Sequence, residues 1–182
     1  PARKVFLLFP PPLSANARLL QNALTQEGHS VVMFEHPDGE GAKNIRVVED
    51  VWRCLGENHF SREDAVVALG GGATTDMGGF GAATWLRGID LINIPTSLLA
   101  MVDAAVGGKT GINTSVGKNL VGSFYPPRAV LCELDYLNSL PPRQLRAGLA
   151  EVIKCGFIAD KLILKLLSEN SVENLIRQPD VF

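Results

Sequence analysis

Short runs of mainly apolar residues recur along residues 1–132, and stretches with apolar positions at helical spacing separate most of them. The runs cover residues 5–9, 31–34, 65–69, 90–94 and 129–132. Strands that are apolar at nearly every position are typical of a sheet covered on both faces. Their alternation with helices predicts an α/β fold, a Rossmann-like parallel sheet with helices on both faces.

Glycine and proline mark where the predicted elements end. Ser14 is the expected N-cap of the first helix, and Gly28 its stop. The turn at residues 70–72 is expected to lead into a helix of small residues that begins near Thr75-Asp76. Residues 106–122 show little periodicity, which favours an ordered functional loop over the alternative, a surface hairpin with solvated lysines.

The pattern changes near residue 141, after which only helical stripes follow, at residues 145–153 and 162–167. We therefore expect an α/β domain over residues 1–137 and the first helices of an all-helical domain over residues 138–182. The leucine-rich face of the second stripe finds few partners in the chain, which suggests that it packs on a further part of the protein.

Composition excludes several function classes. The formal charge of −2 leaves no electrostatic footprint for nucleic acid. The longest apolar stretch, residues 91–106, is interrupted by polar residues and cannot span a membrane. Three cysteines without CxxC spacing indicate reduced thiols in a cytoplasmic protein. The histidines lie in turn-like sequence and are predicted to be surface residues: His29, His36 and His59.

Two glycine-rich segments could hold phosphate. The segment 70–76 lies at a predicted strand-to-helix turn, where the free N–H groups of the helix favour anions. The alternative is a tight turn that needs glycine only for its backbone. The position at the carboxyl end of a parallel strand favours ligand binding over this alternative. A P-loop is excluded for the segment 107–110, because position 103 is Asp103 instead of the required glycine.

Charged residues elsewhere admit two interpretations. Lys109, Lys118 and Asn119 lie in the glycine-rich segment and could hold phosphate and carboxylate oxygens. Glu151 and Lys154 share a helix face, for which an exposed ion pair is the ordinary explanation. Their apolar neighbours nevertheless suit a carboxylate that holds a cation or a metal.

Four motifs together resemble 3-dehydroquinate synthase. They are GGGATTDMGGFGAATWLRG (70–88), IPTSLLAMVDAAVGGKTGIN (94–113), GKNLVGSFYPP (117–127) and LPPRQLRAGLAEVIKCG (140–156). The order and spacing match over residues 64–160, and residues 1–63 match more loosely.

The resemblance implies a set of site residues. Near the adenosine ribose of NAD it places Glu40 and Lys43. At the glycine turn it places Gly71, Gly72 and Ala73, with Asp76 beneath them. The residues beside the cofactor are Thr96, Ser97, Ser139 and Leu140, and those toward the nicotinamide are Asp103, Lys109 and Lys118. On the substrate it places Arg87, Lys109, Asn119 and Lys154, next to Asp103 and Lys118. Glu151 is implied as one of three ligands to zinc or cobalt, the family's other two being histidines of a C-terminal domain.

The implied activity is an NAD- and metal-dependent carbon–oxygen lyase of the shikimate pathway. It converts 3-deoxy-D-arabino-heptulosonate 7-phosphate, a small anionic sugar phosphate, to 3-dehydroquinate and phosphate, and a homodimer is the family expectation. Because the family's histidine ligands find no counterpart here, we expect the chain to be a truncated form that is inactive alone. The alternatives are another sugar-phosphate cyclase, a metal-dependent polyol dehydrogenase of the same fold, and a non-catalytic NAD-binding module.

Overall fold

Five parallel strands form the central sheet in the order β2-β1-β3-β4-β7, which confirms the predicted Rossmann-like class. The computed structural model describes residues 2–170. The strands are β1 (Lys4–Phe9), β2 (Ser30–Glu35), β3 (Ala65–Gly70), β4 (Asp90–Pro95), β5 (Lys109–Thr114), β6 (Gly117–Phe124) and β7 (Ala129–Val130). Strands β5 and β6 form a separate antiparallel hairpin.

Five α-helices accompany these strands in the described part of the chain. They are α1 (Ser14–Gln26), α2 (Ile45–Glu57), α3 (Gly72–Thr84), α4 (Pro142–Ile158) and α5 (Lys161–Glu169). Short 3₁₀ turns lie at Pro11–Leu13, Gly39–Ala42, Trp85–Arg87 and Leu134–Ser139, and a π-helical turn lies at Ala100–Ala104.

Helices cover both faces of the sheet because alternate side chains of each strand enter different cores. On β1, Phe6 and Leu8 pack with α2 and α3, whereas Leu7 and Phe9 pack with α1. All four are buried. The nearly continuous apolar sequence of the strand follows from this double burial.

The chain changes direction between β1 and β3. It passes from β1 outward to β2, returns across β1 to β3, and then continues to β4 on the other side. Open parallel sheets bind ligands at such a switch point, outside the carboxyl ends of the strands. The turn at residues 70–72 follows β3 at this edge.

Two predicted helix starts are wrong. Leu13, not Ser14, is the N-cap of α1, because the 3₁₀ turn at Pro11–Leu13 leads directly into the helix; the Ser14 hydroxyl donates to the carbonyl of Pro11 at 2.7 Å. Helix α3 starts at Gly72 instead of near Thr75-Asp76, since the carbonyl of Gly71 already accepts the N–H of Thr74 at 3.0 Å.

The segment 106–122 belongs to a β-hairpin formed by β5 and β6 and is not the expected loop. The backbone is therefore that of the alternative interpretation, a surface hairpin. Its glycines hide the strand periodicity, and its ladder is completed by the Thr110 hydroxyl, which donates to the carbonyl of Ser123 at 2.8 Å. Strand β5 packs on α3, where Gly79 leaves room for the Thr110 side chain.

The prediction of a surface His36 is also wrong. Its backbone N–H donates to the carbonyl of Phe9 at 3.1 Å and prolongs the pairing of β2, which keeps the side chain inside. His36 is only 2% exposed, and burial lowers the pKa of its imidazole.

Both predicted C-terminal helical stripes are confirmed as α4 and α5. Helix α4 packs on the π-helical turn through Leu145 and Leu149, which contact Leu98 and Met101. The other side of the pair leaves Phe157 and other large apolar side chains exposed. Residues 171–182 of the predicted helical domain lie outside the described residues. None of the described helices is both long and apolar enough to cross a membrane.

Candidate functional site

The glycine turn after β3 places backbone N–H groups at the carboxyl edge of the sheet. Gly71 is the N-cap of α3 and has an extended backbone. Because the first N–H groups of a helix have no carbonyl partner within it, those of Gly72 and Ala73 make no hydrogen bond within the helix. A side chain on Gly70 would overlap that of Thr74, so β3 can enter this turn only with glycine there. The result is an anion-binding helix end.

Thr96 and Ser97 lie beside this turn, at the end of the neighbouring strand β4. The N–H of Thr96 donates to the carbonyl of Gly70 at 3.0 Å, and a Cβ on Gly71 would lie 3.5 Å from Ser97 Oγ. Leu140 packs in the cluster of Leu98 behind Ser97. Ser139 is exposed in the preceding turn.

A cavity of about 460 Å³ lies next to the turn: Ala104 lines it, and a Cβ on Gly72 would lie 3.3 Å from Ala104 Cβ. Four of the sequence-predicted residues line it: Asp76, Asp103, Lys109 and Asn119. Ala104, Leu120 and Phe124 add apolar lining. A cavity of this size, with a few polar groups on an apolar wall, suits a small polar ligand.

Lys43 is the buried centre of a polar network at this cavity. Its Nζ donates to Asp76 Oδ2 and to Asn119 Oδ1, both at 2.5 Å, and the residue is only 4% exposed. Burial raises the pKa of Asp76 more than the Lys43 ammonium lowers it. The structure thus brings Lys43 together with Asp76, implied beneath the turn, and with Asn119, implied for the substrate.

Glu40 and Lys118 form the outer part of this network. Lys118 Nζ lies 3.5 Å from Glu40 Oε1, in an exposed pair outside the cavity lining. The Asn113 side chain, and to a smaller extent the Lys43 and Lys118 ammonium groups, lower the pKa of Glu40.

Glu151 forms an ion pair with Lys154, as the ordinary interpretation of their spacing has it. Glu151 Oε2 is shielded from solvent and has no other polar partner in the described part of the chain. The Glu151 carboxylate, and to a smaller extent that of Asp103, raises the pKa of Lys154. Among residues 2–170, no group of three side chains could hold a metal ion.

Arg87 is not among the residues that line this cavity. It follows the last turn of α3, whereas the glycine turn precedes the first. A helix of this length spans roughly 20 Å at about 1.5 Å per residue. The Arg87 side chain is exposed at that far end, where its backbone has a φ of 65°.

Asn113 is a network member that the sequence did not reveal. Its side chain contacts both Glu40 and the backbone of Asn119. It lies within the GGKTGIN stretch. Its contacts depend on the register of the hairpin, and on the position of a turn about 70 residues earlier in the chain, at Gly39–Ala42. No local signal identifies it.

Comparison with known proteins gives a consistent relationship. The family model described as 3-dehydroquinate synthase N-terminal matches residues 33–147. A 3-dehydroquinate synthase of Paenarthrobacter aurescens (strain TC1) is 54% identical over 169 residues, which cover 93% of this chain and 47% of the relative. The chain spans about half the length of the curated relatives that it matches.

Two solved structures superpose on most of the chain. The 2-epi-5-epi-valiolone synthase of Streptomyces hygroscopicus subsp. jinggangensis 5008, with NAD+ and Zn2+ bound, gives a TM-score of 0.87 at 29% identity, covering 97% of this chain and 49% of that one. A 2-deoxy-scyllo-inosose synthase complexed with carbaglucose-6-phosphate, NAD+ and Co2+ gives 0.77 at 31% identity, covering 84% and 42%.

Proposed function

This chain belongs to the 3-dehydroquinate synthase family, and on that premise we propose that it is the NAD-binding half of a 3-dehydroquinate synthase. The complete enzyme would convert 3-deoxy-D-arabino-heptulosonate 7-phosphate to 3-dehydroquinate and phosphate in the shikimate pathway. It would be an NAD- and divalent-metal-dependent carbon–oxygen lyase.

One observation carries the proposal. A glycine turn with free N–H groups opens beside a cavity that Asp76, Asp103, Lys109 and Asn119 line together. The turn fits the pyrophosphate of a dinucleotide, because backbone donors and the helix dipole both favour negative charge there. The cavity fits the polar reacting end of the cofactor and a small anionic substrate.

The residues of the chain would mainly bind and orient. NAD, when bound, supplies a hydride acceptor that is regenerated at the end of the cycle. Lys109 offers a compact positive charge to substrate phosphate or carboxylate oxygens, and Asn119 offers an amide to hydroxyl groups. Asp103, exposed at the cavity wall, can accept a hydrogen bond from a hydroxyl. Holding these groups in place lowers the entropic part of the barrier.

Glu151 is the proposed metal ligand of this chain. Its shielded Oε2 suits a cation, and Lys154 occupies that role in the structure. One carboxylate does not complete a zinc or cobalt site, which takes three protein ligands in catalytic centres. Two related cyclases were solved with Zn2+ or Co2+ besides NAD+. The remaining ligands would come from outside residues 2–170.

Arg87 would act from a second copy of the chain. It lies at the end of α3 opposite the glycine turn, and it is not among the residues that line the cavity of its own chain. In a homodimer, however, an exposed turn of one protomer can reach the cavity of the other. This arrangement would reconcile the resemblance, which assigns Arg87 to the substrate, with the structure.

Residues 138–182 would begin the helical, metal- and substrate-binding domain. Helix α4 bridges the two parts, since its first turns pack on the π-helical turn that also carries Asp103. The exposed apolar side chains of the α4–α5 pair would pack on the rest of that domain: Phe157, Ile158 and Leu162.

Calorimetric titration with NAD tests the proposal, with Gly71→Asp as the decisive variant. Aspartate is a favoured N-cap, so α3 should be retained or stabilised. The backbone of Gly71 accepts a side chain, because a Cβ there reaches only ordinary contact with Ser97 Oγ at 3.5 Å and φ is −75°. The new carboxylate would repel the pyrophosphate, so we expect binding roughly tenfold or more weaker. Gly71→Ser, a neutral N-cap, is the matched control and should bind more nearly like the unaltered chain.

Two results would contradict the proposal: no saturable NAD binding by the unaltered chain, or equal affinity in Gly71→Asp. A phosphate-release assay with NAD, zinc and the sugar phosphate tests the expected inactivity of the chain alone. Turnover at the rate of a full-length relative would refute that expectation.

A further inference from the structure

Asn113 links both strands of the hairpin to the turn at Gly39–Ala42 and to Lys43, about 70 residues earlier in the chain. Its Nδ2 donates to Glu40 Oε1 at 2.7 Å, and its Oδ1 accepts the N–H of Asn119 at 3.0 Å. Its own backbone N–H donates to the carbonyl of Lys43 at 2.8 Å. From these contacts we infer that Asn113 is a positioning residue that holds the hairpin and the turn at Gly39–Ala42 in register at the NAD site.

The hairpin needs such a link because it is not part of the main sheet. Among residues 2–170, strands β5 and β6 pair only with each other. Near the start of β5, Thr110 packs into the space that Gly79 leaves on α3. Near its other end, beside a register shift between Ile112 and Thr114, Asn113 makes the connection.

The residue held by Asn113 has an unfavourable backbone. Asn119 has a φ of 56°, in the left-handed region that residues other than glycine seldom adopt, although asparagine tolerates it better than most. The side-chain oxygen of Asn113, Oδ1, accepts the N–H of Asn119, and the Lys43 ammonium donates to the side-chain oxygen of Asn119. Loss of Asn113 therefore releases Asn119, a cavity wall residue, and its neighbour Lys118.

The charges around Glu40 make an acidic replacement informative. Lys43 and Lys118 face the Glu40 carboxylate. Arg46 lines a surface groove together with Glu40 and Asn113. Asp76 lies on the other side of Lys43, where it accepts from the ammonium group. In Asn113→Asp the size and the acceptor for Asn119 are kept, but the donor to Glu40 becomes a carboxylate. Two adjacent carboxylates repel at neutral pH and share a proton in acid, which restores a donor.

The effect on ligand binding rests on the proposed function, because it assumes that Glu40 and the cavity wall contact NAD. Hydrogen bonds to charged groups are among the stronger ones, so we expect Asn113→Asp to bind NAD roughly tenfold more weakly at neutral pH. The loss should shrink as the pH falls. Asn113→Ala, which adds no charge, should weaken binding without this recovery.

Two measurements on the 182-residue chain test the inference. Amide hydrogen exchange, expressed as the ratio to the unaltered chain at each pH, follows residues 39–43 and 117–120 without any ligand. Calorimetry follows NAD binding. Asn22→Asp, the same exchange at an exposed position of α1 where the side chain makes no hydrogen bond within the described residues, is the control and should change neither.

The inference predicts faster exchange confined to the two segments in both Asn113 variants, with recovery in acid for Asn113→Asp alone. Unchanged exchange in the two segments would overturn it, and so would faster exchange throughout the chain, which indicates a merely structural role. If the unaltered chain does not bind NAD, the proposed function fails and the exchange data alone decide the inference. If the unaltered chain binds and both Asn113 variants bind equally well, the inference fails and the proposed function stands.

Discussion

Replacing Lys43 by methionine isolates the cost of leaving a buried carboxylate without its cation. The Lys43 ammonium lies 2.5 Å from Asp76 Oδ2, and the two side chains are 5% and 21% exposed. Methionine keeps most of the volume and removes the charge. Asp76, whose pKa burial already raises, then loses the group that opposes this rise, so its pKa moves further up.

The protonation of Asp76 limits the cost. An aspartate with an unfolded pKa of about 3.9 can be neutralised at pH 7 for about 4 kcal/mol, since each pH unit corresponds to about 1.36 kcal/mol. The partial exposure of Asp76 makes this an upper limit for the charge effect. The lost hydrogen bond to Asn119 adds about 1 kcal/mol. At about pH 5 the same limit falls to roughly 1.5 kcal/mol.

The pH dependence follows from the direction of the pKa. The folded variant retains a proton on Asp76 that the unfolded chain releases, so its stability falls as the pH rises from the unfolded toward the folded pKa. Urea unfolding at both pH values should show a larger loss for Lys43→Met at pH 7 than at pH 5. The double variant K43M/D76N should recover most of the loss and lack the pH dependence.

Lys118→Met is the matched control, because it removes an exposed partner of Glu40 and should cost less than about 1 kcal/mol. Equal losses for Lys43→Met at both pH values would refute the reasoning. A double variant as unstable as the single one would do the same.

Three further outcomes are expected. Gly148→Ala should lower the free energy of unfolding, measured in urea, by about 1–3 kcal/mol, because overpacking forces neighbouring atoms to shift. The new Cβ would lie 2.7 Å from both Leu98 Cβ and the backbone nitrogen of Leu99. The control Gly56→Ala, whose Cβ makes only an ordinary contact with Trp85 at 3.4 Å, should cause no such loss. Arg87→Ala should leave the NAD affinity of this chain unchanged in calorimetry, because Arg87 is assigned to the substrate, and a clear loss would contradict that assignment. Zinc titration should show no saturable binding in the micromolar range, because the described residues offer no group of three ligands.

The sheet could be predicted from the sequence because the signal for each strand is local. A strand buried on both faces must be apolar almost throughout, as Val5–Phe9 is, whatever its neighbours in space. The glycine turn was equally accessible, since a strand, three glycines and a helix follow one another in the chain. Four motifs in order then sufficed for the family.

The hairpin and the buried network depend on contacts between distant residues. Strands β5 and β6 are half exposed and rich in glycine, and their register is stabilised by docking on α3 and on the turn at Gly39–Ala42. Lys43 and Asp76 are 33 positions apart, and Asn119 is 76 positions from Lys43. No pattern in the sequence shows that a lysine assigned to the ribose would be buried between them.

The seating of NAD on the glycine turn can be measured residue by residue. Titration of the ¹⁵N-labelled chain with NAD should shift the amide signals of Gly71, Gly72 and Ala73, together with those of Ser97, Lys109 and Asn119. Shifts confined to another surface, or no shifts at saturating NAD, would contradict the assignment of this sheet edge as a dinucleotide site.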